Sequence, residues 1–157
     1  MDEKLIDAEQ QKVMTTLPAF VNVLTILTFV GSGFGILGAI YNLITIPTQH
    51  ARLEKSTEIL EEAGGLFAQI GEAAMKAVEY AWELNTTAII SGSFCIIGAL
   101  LMRKLKKAGF YLYAASNLVG VVVPMAIVGL MGGINIISAI FPVAFIIMYG
   151  VNLKYFN

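Results

Sequence analysis

A spacing that could support chemistry occurs at His50, Glu54 and Glu58, which are four residues apart. On a helix this spacing places an imidazole and two carboxylates on one face, and such a set can bind a divalent cation. The same stretch, with Glu61 and Glu62, is also typical of a solvated acidic face. Because like charges one turn apart repel each other, a basic partner would relieve the repulsion. We expect a solvated face, with a partner contact and a metal site as alternatives.

Polar residues also interrupt the apolar segments, at Asn42, Asn117, Asn135 and Ser138. In lipid such side chains form hydrogen bonds between helices, each worth about 0.6 kcal/mol on average and up to about 2 kcal/mol. We interpret them as contacts that hold helices together. The functional alternative is a polar ligand or lipid pocket between the helices.

Several membrane chemistries are excluded by counting residues. Proton-coupled antiport of the small four-helix drug-exporter type uses a carboxylate within the membrane, and the predicted membrane helices carry no charged residue in their middle. Bis-histidine haem ligation needs two histidines, and the chain has only His50. Quinone-linked disulfide chemistry needs cysteine pairs, and Cys95 is alone. No nucleophile has a base beside it, so we expect no catalytic residue, no cofactor and no enzymatic activity.

The composition indicates lipid as the solvent. Hydrophobic residues make up 57% of the chain and charged residues 13%, whereas soluble domains have roughly 45–50% and about 25%. The charges are segregated, since residues 13–51, 84–102 and 108–153 contain no Asp, Glu, Lys or Arg, and Glu83 directly precedes the second of these ranges. A net charge of −1 gives no reason to expect nucleic acid as a partner.

We therefore predict an all-α integral membrane protein that forms a single domain. It has four transmembrane helices and, between the first two, an amphipathic helical loop outside the cytoplasm. The predicted boundaries are 18–46, 86–102, 109–131 and 134–153 for the membrane helices, 48–84 for the acidic helical loop and 103–107 for a basic loop. Pro47 is expected to stop the first helix. The acidic loop should hinge at Gly64 and Gly65, and its second piece should continue into the next membrane helix.

Small residues predict where these helices approach one another. Gly31 and Gly35 are spaced as a small-xxx-small face, on which two helix backbones can come close. The predicted helix-packing positions are Gly31, Gly35, Gly38, Gly92, Gly98 and Gly120.

The basic loop sets the predicted orientation. Arg103, Lys104, Lys106 and Lys107 lie between two long apolar runs. With four membrane helices, seven basic residues fall on one side of the membrane and three on the other. By the positive-inside rule, both termini are cytoplasmic and the acidic loop is on the outside.

Three segments of the chain carry a resemblance. They are LTILTFVGSGFG from Leu24, LMRKLKKAGFYLY from Leu101 and IMYGVNLKY from Ile147. Together they resemble a group of small, uncharacterised four-helix inner-membrane proteins of Bacteroidota. The resemblance implies a multi-pass protein of the bacterial inner membrane with the same four-helix layout, and it carries no established catalytic residues.

These observations favour a non-catalytic accessory or scaffold subunit of a larger inner-membrane complex. Its partners would be the lipid bilayer and other membrane-protein subunits or copies of itself. The alternative is a small homo-oligomeric transporter, channel or lipid-handling protein.

Overall fold

A computed structural model describes residues 18–129 and 134–156. Within these ranges the chain forms five α-helices and one short 3-10 helix. They are α1 (Ala19–Ala63), α2 (Gly65–Glu79), α3 (Ala81–Arg103), α4 (Lys107–Val128), α5 (Ile134–Gly150) and the 3-10 turn Leu153–Tyr155. The predicted all-α class is confirmed for this part of the chain.

Three of the helices are long and apolar enough to cross a membrane: Ala19–Gln49 of α1, all of α3 and all of α4. Their large apolar side chains point outward, as at Phe34, which is 73% exposed. So much exposed apolar surface is unfavourable in water and is typical of a membrane protein. α5 has 17 residues, about 25 Å of helix against a hydrocarbon core of about 30 Å. A fourth crossing stays a prediction.

The predicted stop at Pro47 is wrong, because α1 continues through it to Ala63. Proline has no backbone N–H, so Pro47 leaves the carbonyl oxygen of Leu43 without its helical donor, and membrane helices tolerate such a position. Thr45 Oγ1 donates to the carbonyl oxygen of Tyr41 at 2.9 Å, and Thr48 Oγ1 donates to that of Thr45 at 2.8 Å. Gln49 Nε2 donates to Thr45 Oγ1 at 2.9 Å. These side-chain bonds lie within the turns on either side of the proline.

The chain breaks at Gly64 and Gly65, where the sequence places a hinge. Both residues have positive φ, 68° and 59°, a backbone region that glycine enters without steric cost. α2 then packs back against α1 and buries Ala73 and Val78. The predicted smooth passage into the next helix is interrupted at Tyr80, so that α3 starts at Ala81, five residues before the predicted boundary.

A tight turn joins α3 to α4. Lys106 N–H donates to the carbonyl oxygen of Leu101 at 3.0 Å, and Leu105 N–H donates to that of Met102 at 2.9 Å. Leu105 has φ 57°, the left-handed position that glycine usually takes after a helix. Its side chain packs against the buried core, which explains why a leucine occupies a position that disfavours it.

The ends of the last two helices differ slightly from the predicted boundaries. α4 runs through Pro124 to Val128, and Gly129 follows with φ 87°. Residues 130–133, which include the predicted end of the third membrane helix, lie outside the described residues. α5 ends at Gly150, three residues before the predicted 153, and the 3-10 turn follows.

The core lies at the end of the bundle that carries the basic loop. Its buried members come from the start of α1, the end of α3, the start of α4 and the end of α5: Val21, Leu24, Cys95, Met102, Tyr113, Tyr149 and Phe156. Four helix ends therefore converge there, and the tight packing gives way to an open space farther along the bundle.

Candidate functional site

An open space lies between α1, α3, α4 and α5, and we call it the interhelical cleft. It consists of two adjoining cavities of about 240 and 320 Å³. Residues that line both are Gly31, Ser32, Cys95, Asn117 and Pro142. Because glycine, serine and cysteine side chains are small, they leave room that larger side chains would fill.

The cleft ends against the core at a hydrogen bond between two helices. Thr28 Oγ1 of α1 and Tyr149 Oη of α5 are 3.0 Å apart, and both residues are buried. The ring of Tyr149 meets the ring of Tyr113 edge to face, with centroids 4.9 Å apart and planes at 66°. Such an arrangement is favourable for aromatic pairs. α5 is held against α1 and α4 at this level.

Asn117 is the polar side chain of α4 that reaches the middle of the cleft. Its Nδ2 donates to the carbonyl oxygen of Tyr113 at 2.9 Å and to the Cys95 sulfur of α3 at 3.2 Å. The second bond links α3 and α4, which agrees with the predicted role of Asn117 in holding helices together. The same residue lines both cavities, so the pocket interpretation also stays open.

The hydroxyls along the cleft are mostly occupied by backbone carbonyls. Ser116 Oγ donates to the carbonyl oxygen of Leu112 at 2.7 Å, and Ser91 Oγ to that of Ala88 at 3.3 Å. Among the described residues that line the cleft there is no Asp, Glu, Lys, Arg or His. The cleft therefore suits an uncharged occupant and offers no side chain that would carry a proton.

Gly92 and Gly120, two of the predicted packing positions, lie where helices touch. A Cβ at Gly92 would be 3.0 Å from the Ile36 side chain of α1, and a Cβ at Gly120 would be 3.2 Å from Ser91 Oγ. Both contacts are tighter than ordinary van der Waals contact, so each glycine permits the observed approach.

The shortest of these Cβ distances at the described glycines are at Gly98 of α3 and Gly109 of α4. A Cβ at Gly98 would be 2.9 Å from the carbonyl oxygen of Gly109, and a Cβ at Gly109 would be 2.6 Å from that of Gly98. Sequence reasoning missed Gly109, because it was assigned to the start of a helix next to the basic loop. Its spacing from Gly98 across a short turn could have indicated the pair.

Gly31, Gly35 and Gly38 behave differently, and we call them the open glycine face of α1. No described atom outside the local helix backbone lies within 4 Å of a Cβ at any of the three. Gly31 and Gly35 border the interhelical cleft. These predicted packing positions therefore make no close helix contact among the described residues.

Of the other predicted intramembrane polar residues, Asn42 has a described side chain. Asn42 is exposed, and its Oδ1 accepts from Gln49 Nε2 of the same helix at 3.4 Å. The side chains of Asn135 and Ser138 lie outside the described part of the chain. Among the described side chains, Asn42 bonds within its own helix, apart from Asn117.

The acidic segment forms the far end of α1 together with α2. Glu62 is exposed, and the side chains of His50, Glu54, Glu58 and Glu61 lie outside the described part. Among the described residues, no group of three His, Cys, Asp or Glu could hold a metal ion.

One ion pair is present among the described residues of this segment. Lys76 Nζ and Glu72 Oε1 are 2.8 Å apart on the exposed side of α2. The hydrogen bond and the charge of Lys76 lower the pKa of Glu72, and the same contact raises the pKa of Lys76. Because both groups are in water, the pair contributes little to stability.

The basic residues of the α3–α4 turn are all exposed: Arg103, Lys104, Lys106 and Lys107. The guanidinium carbon of Arg103 lies 6.0 Å from the ring centroid of Phe29 in α1. This distance is at the limit for a cation–π contact. The turn thus presents its charges outward next to the apolar body of the bundle.

No family model, curated protein or solved structure matches the chain. The resemblance to small inner-membrane proteins of Bacteroidota therefore stays a prediction. Three helices of the described part are long and apolar enough to span a bilayer, and the candidate features of the chain are the interhelical cleft, the open glycine face and the basic turn.

Proposed function

We propose that this protein is a non-catalytic accessory or scaffold subunit of a larger complex in the bacterial inner membrane. The observation that carries the proposal is the open glycine face. Elsewhere in the bundle glycines lie at close helix contacts, as at Gly92, Gly98 and Gly120, whereas Gly31, Gly35 and Gly38 have no described neighbour within 4 Å of a Cβ.

The physical argument concerns what drives helices together in lipid. Lipid tails are as apolar as leucine, so association depends on close van der Waals contact, and small residues permit that contact. A glycine face that borders empty space loses those contacts. A transmembrane helix of a partner subunit, laid across the open glycine face, would recover them and extend side chains into the interhelical cleft.

The orientation and the fourth crossing belong to the same proposal. We infer that α5 crosses the membrane, that both termini are cytoplasmic and that α2 lies outside. The buried core supports this arrangement, because it joins the start of α1, the end of α3, the start of α4 and the end of α5 on one side of the bundle. A tag placed at Gly65 should react with an impermeant reagent in intact cells. Labelling only after lysis would contradict the orientation without affecting the glycine face.

The subunit proposal is tested by purification in mild detergent from cells in which the protein is native. We expect a stoichiometric membrane partner with the unchanged protein. The double variant Gly31→Leu/Gly35→Leu should lose this partner. Gly33→Leu is the matched control, since Gly33 is also open but lies on another side of α1. A stable monomer without a partner, or equal recovery with both variants, would contradict the proposal.

A second candidate function rests on Asn117 in the interhelical cleft: a small homo-oligomeric transporter, channel or lipid-handling protein. Solute flux or bound lipid in reconstituted vesicles should then fall in Asn117→Leu, and the sequence also suggests Asn135→Leu. Asn85→Leu is the control, because Asn85 donates to the carbonyl oxygen of Ala81 and does not line the cleft. Unchanged flux in Asn117→Leu would remove this candidate.

A further inference from the structure

Five cations gather at one end of the bundle, and we call them the basic patch: Arg103, Lys104, Lys106, Lys107 and Lys154. All five are exposed. The first four belong to the α3–α4 turn, and Lys154 belongs to the 3-10 turn after α5. Leu105 and Leu153, which come from these two turns, pack against the same buried cluster. The patch is therefore one surface, assembled from segments that are almost 50 residues apart in the sequence.

The turn holds its lysines in a fixed arrangement. Leu105 takes the left-handed conformation with φ 57° and turns its side chain toward the core. Lys104 and Lys106, on either side of it, are both exposed. This conformation is unfavourable for a leucine, and the packing of its side chain against the core offsets the cost. The exposed lysines therefore flank a residue whose side chain is anchored in the core.

No acidic side chain near these cations in the sequence could neutralise them. Residues 84–157 contain no Asp or Glu. Among the described residues, the ion pair that forms is Lys76 with Glu72 in α2, at the other end of α3. The patch also includes the start of α4, and a helix N-terminus adds positive potential.

The position of the basic patch points to its counterion. α3 ends and α4 begins there, so the patch lies where apolar helices leave the hydrocarbon. Tyr111 is 63% exposed and Tyr155 40% exposed in the same two segments, and tyrosines at this depth are typical of the headgroup region. The lysine side chains extend into a layer that contains lipid phosphates.

We propose that the basic patch binds the phosphodiester headgroup of an anionic glycerophospholipid in the adjacent leaflet. This proposal is independent of the partner helix on α1. The basic patch acts through its charges at the membrane surface, whereas the open glycine face acts through small residues in the membrane interior. Each lysine near an anionic surface strengthens binding about fivefold. Three of them together should contribute roughly a hundredfold.

The test is native mass spectrometry of the full-length protein released from neutral detergent micelles. The micelles contain equal amounts of phosphatidylglycerol and phosphatidylcholine. We expect the unchanged protein to retain phosphatidylglycerol at least tenfold over phosphatidylcholine. The variant Lys104→Gln/Lys106→Gln/Lys107→Gln should lower that preference at least tenfold. All three substitutions are at exposed positions, and unchanged thermal unfolding would show that the bundle is intact.

The matched control is Arg52→Gln/Lys55→Gln/Lys76→Gln, which removes the same charge from the segment of α1 and α2 that is acidic. It should keep the full preference for phosphatidylglycerol. Equal loss in both triple variants would overturn the proposal, since net charge alone would then explain the binding. An unchanged preference in the Lys104→Gln/Lys106→Gln/Lys107→Gln variant would overturn it as well.

Two other occupants are separated by the same measurement. If inorganic phosphate at the lipid's concentration displaced phosphatidylglycerol, the patch would be a phosphate site and the lipid proposal would fail. The acidic residues of the N-terminal segment are the other candidates. A variant lacking residues 1–12 should bind phosphatidylglycerol as the full chain does. If the full chain bound none and the truncated chain did, that segment would be the occupant and the proposal would be wrong.

Discussion

The contact between Gly98 and Gly109 gives the sharpest prediction about stability. A Cβ added by Gly109→Ala would lie 2.6 Å from the carbonyl oxygen of Gly98, 2.6 Å from the Met102 nitrogen and 2.8 Å from Leu101 Cβ. Two of these atoms are backbone, and the third is the first atom of a side chain. None of them can move aside by a change of rotamer, so α4 itself must shift.

The magnitude follows from that shift. To reach an ordinary contact, the start of α4 must move away from α3 by roughly 0.8 Å, and a gap of this size forfeits a quarter to a half of each affected contact. Overpacking typically costs about 1–3 kcal/mol, and the rigid neighbours place Gly109→Ala in the upper part of that range. Because alanine has a better helix propensity than glycine, the substitution also raises the free energy of unfolding by at most about 1 kcal/mol. We expect a net loss of roughly 2 kcal/mol in the free energy of unfolding.

The assay is equilibrium unfolding in mixed micelles with increasing sodium dodecyl sulfate, followed by circular dichroism and the fluorescence of Trp82, the one tryptophan. Gly38→Ala is the control, because no described atom beyond the local helix lies within 4 Å of its Cβ position. It should be neutral or up to about 1 kcal/mol stabilising. If Gly109→Ala unfolded at the same detergent fraction as Gly38→Ala, the inferred close packing of α3 and α4 would be refuted.

Gly98→Ala extends the same reasoning. Its Cβ would lie 2.9 Å from the carbonyl oxygen of Gly109 and 3.0 Å from the Tyr113 nitrogen, so the expected loss is smaller. Because one displacement of α4 makes room for both methyl groups, the double variant should cost less than the sum of the single variants. Strict additivity would indicate that the two glycines do not share a contact.

Three further predictions concern single positions. Tyr149→Phe removes the hydrogen bond to α1 and should lower the free energy of unfolding by about 0.6 kcal/mol, at most about 1.7 kcal/mol; the exposed Tyr111→Phe should change nothing. Leu105→Gly should be more stable than Leu105→Ala by about 1 kcal/mol, the reverse of the order in a helix, because alanine keeps the left-handed strain. Pro47→Ala should preserve the helical circular dichroism and leave stability equal or higher, since α1 is already continuous there. A loss of helical circular dichroism in Pro47→Ala would contradict this account of the backbone. So would a Leu105→Ala variant that is more stable than Leu105→Gly.

The features predictable from the sequence are those fixed by local composition. The apolar runs predict α1, α3 and α4 because a backbone in lipid must bond to itself. The break at Gly64 and Gly65 follows from the rarity of positive φ in other residues. The basic turn follows from four cations in five residues, which cannot lie in hydrocarbon.

The features that the sequence missed depend on residues that are distant along the chain. The bond of Thr28 to Tyr149 joins residues 121 positions apart, and no local pattern marks either as a member of the pair. Gly109 requires knowledge of how close α3 and α4 come. α1 continues through Pro47, because a membrane helix can tolerate a proline that would end a helix in water, and a rule about proline alone does not include this.

The bundle is unequal along its length, and this inequality separates stability from function. At the basic end, Tyr149, Met102 and Leu24 are almost completely buried and hold four helix ends together. Beyond them, small residues on three helices leave the cleft that no side chain of the described part fills. An empty cleft lowers stability, and a larger residue in place of one glycine would fill it. We infer that the cleft is kept because a partner occupies it. Bulky residues at Gly31 or Gly35 should therefore abolish partner binding and leave the free energy of unfolding of the isolated chain unchanged. Bulky residues at Gly98 or Gly109 should lower that free energy and leave the partner-binding face of α1 intact.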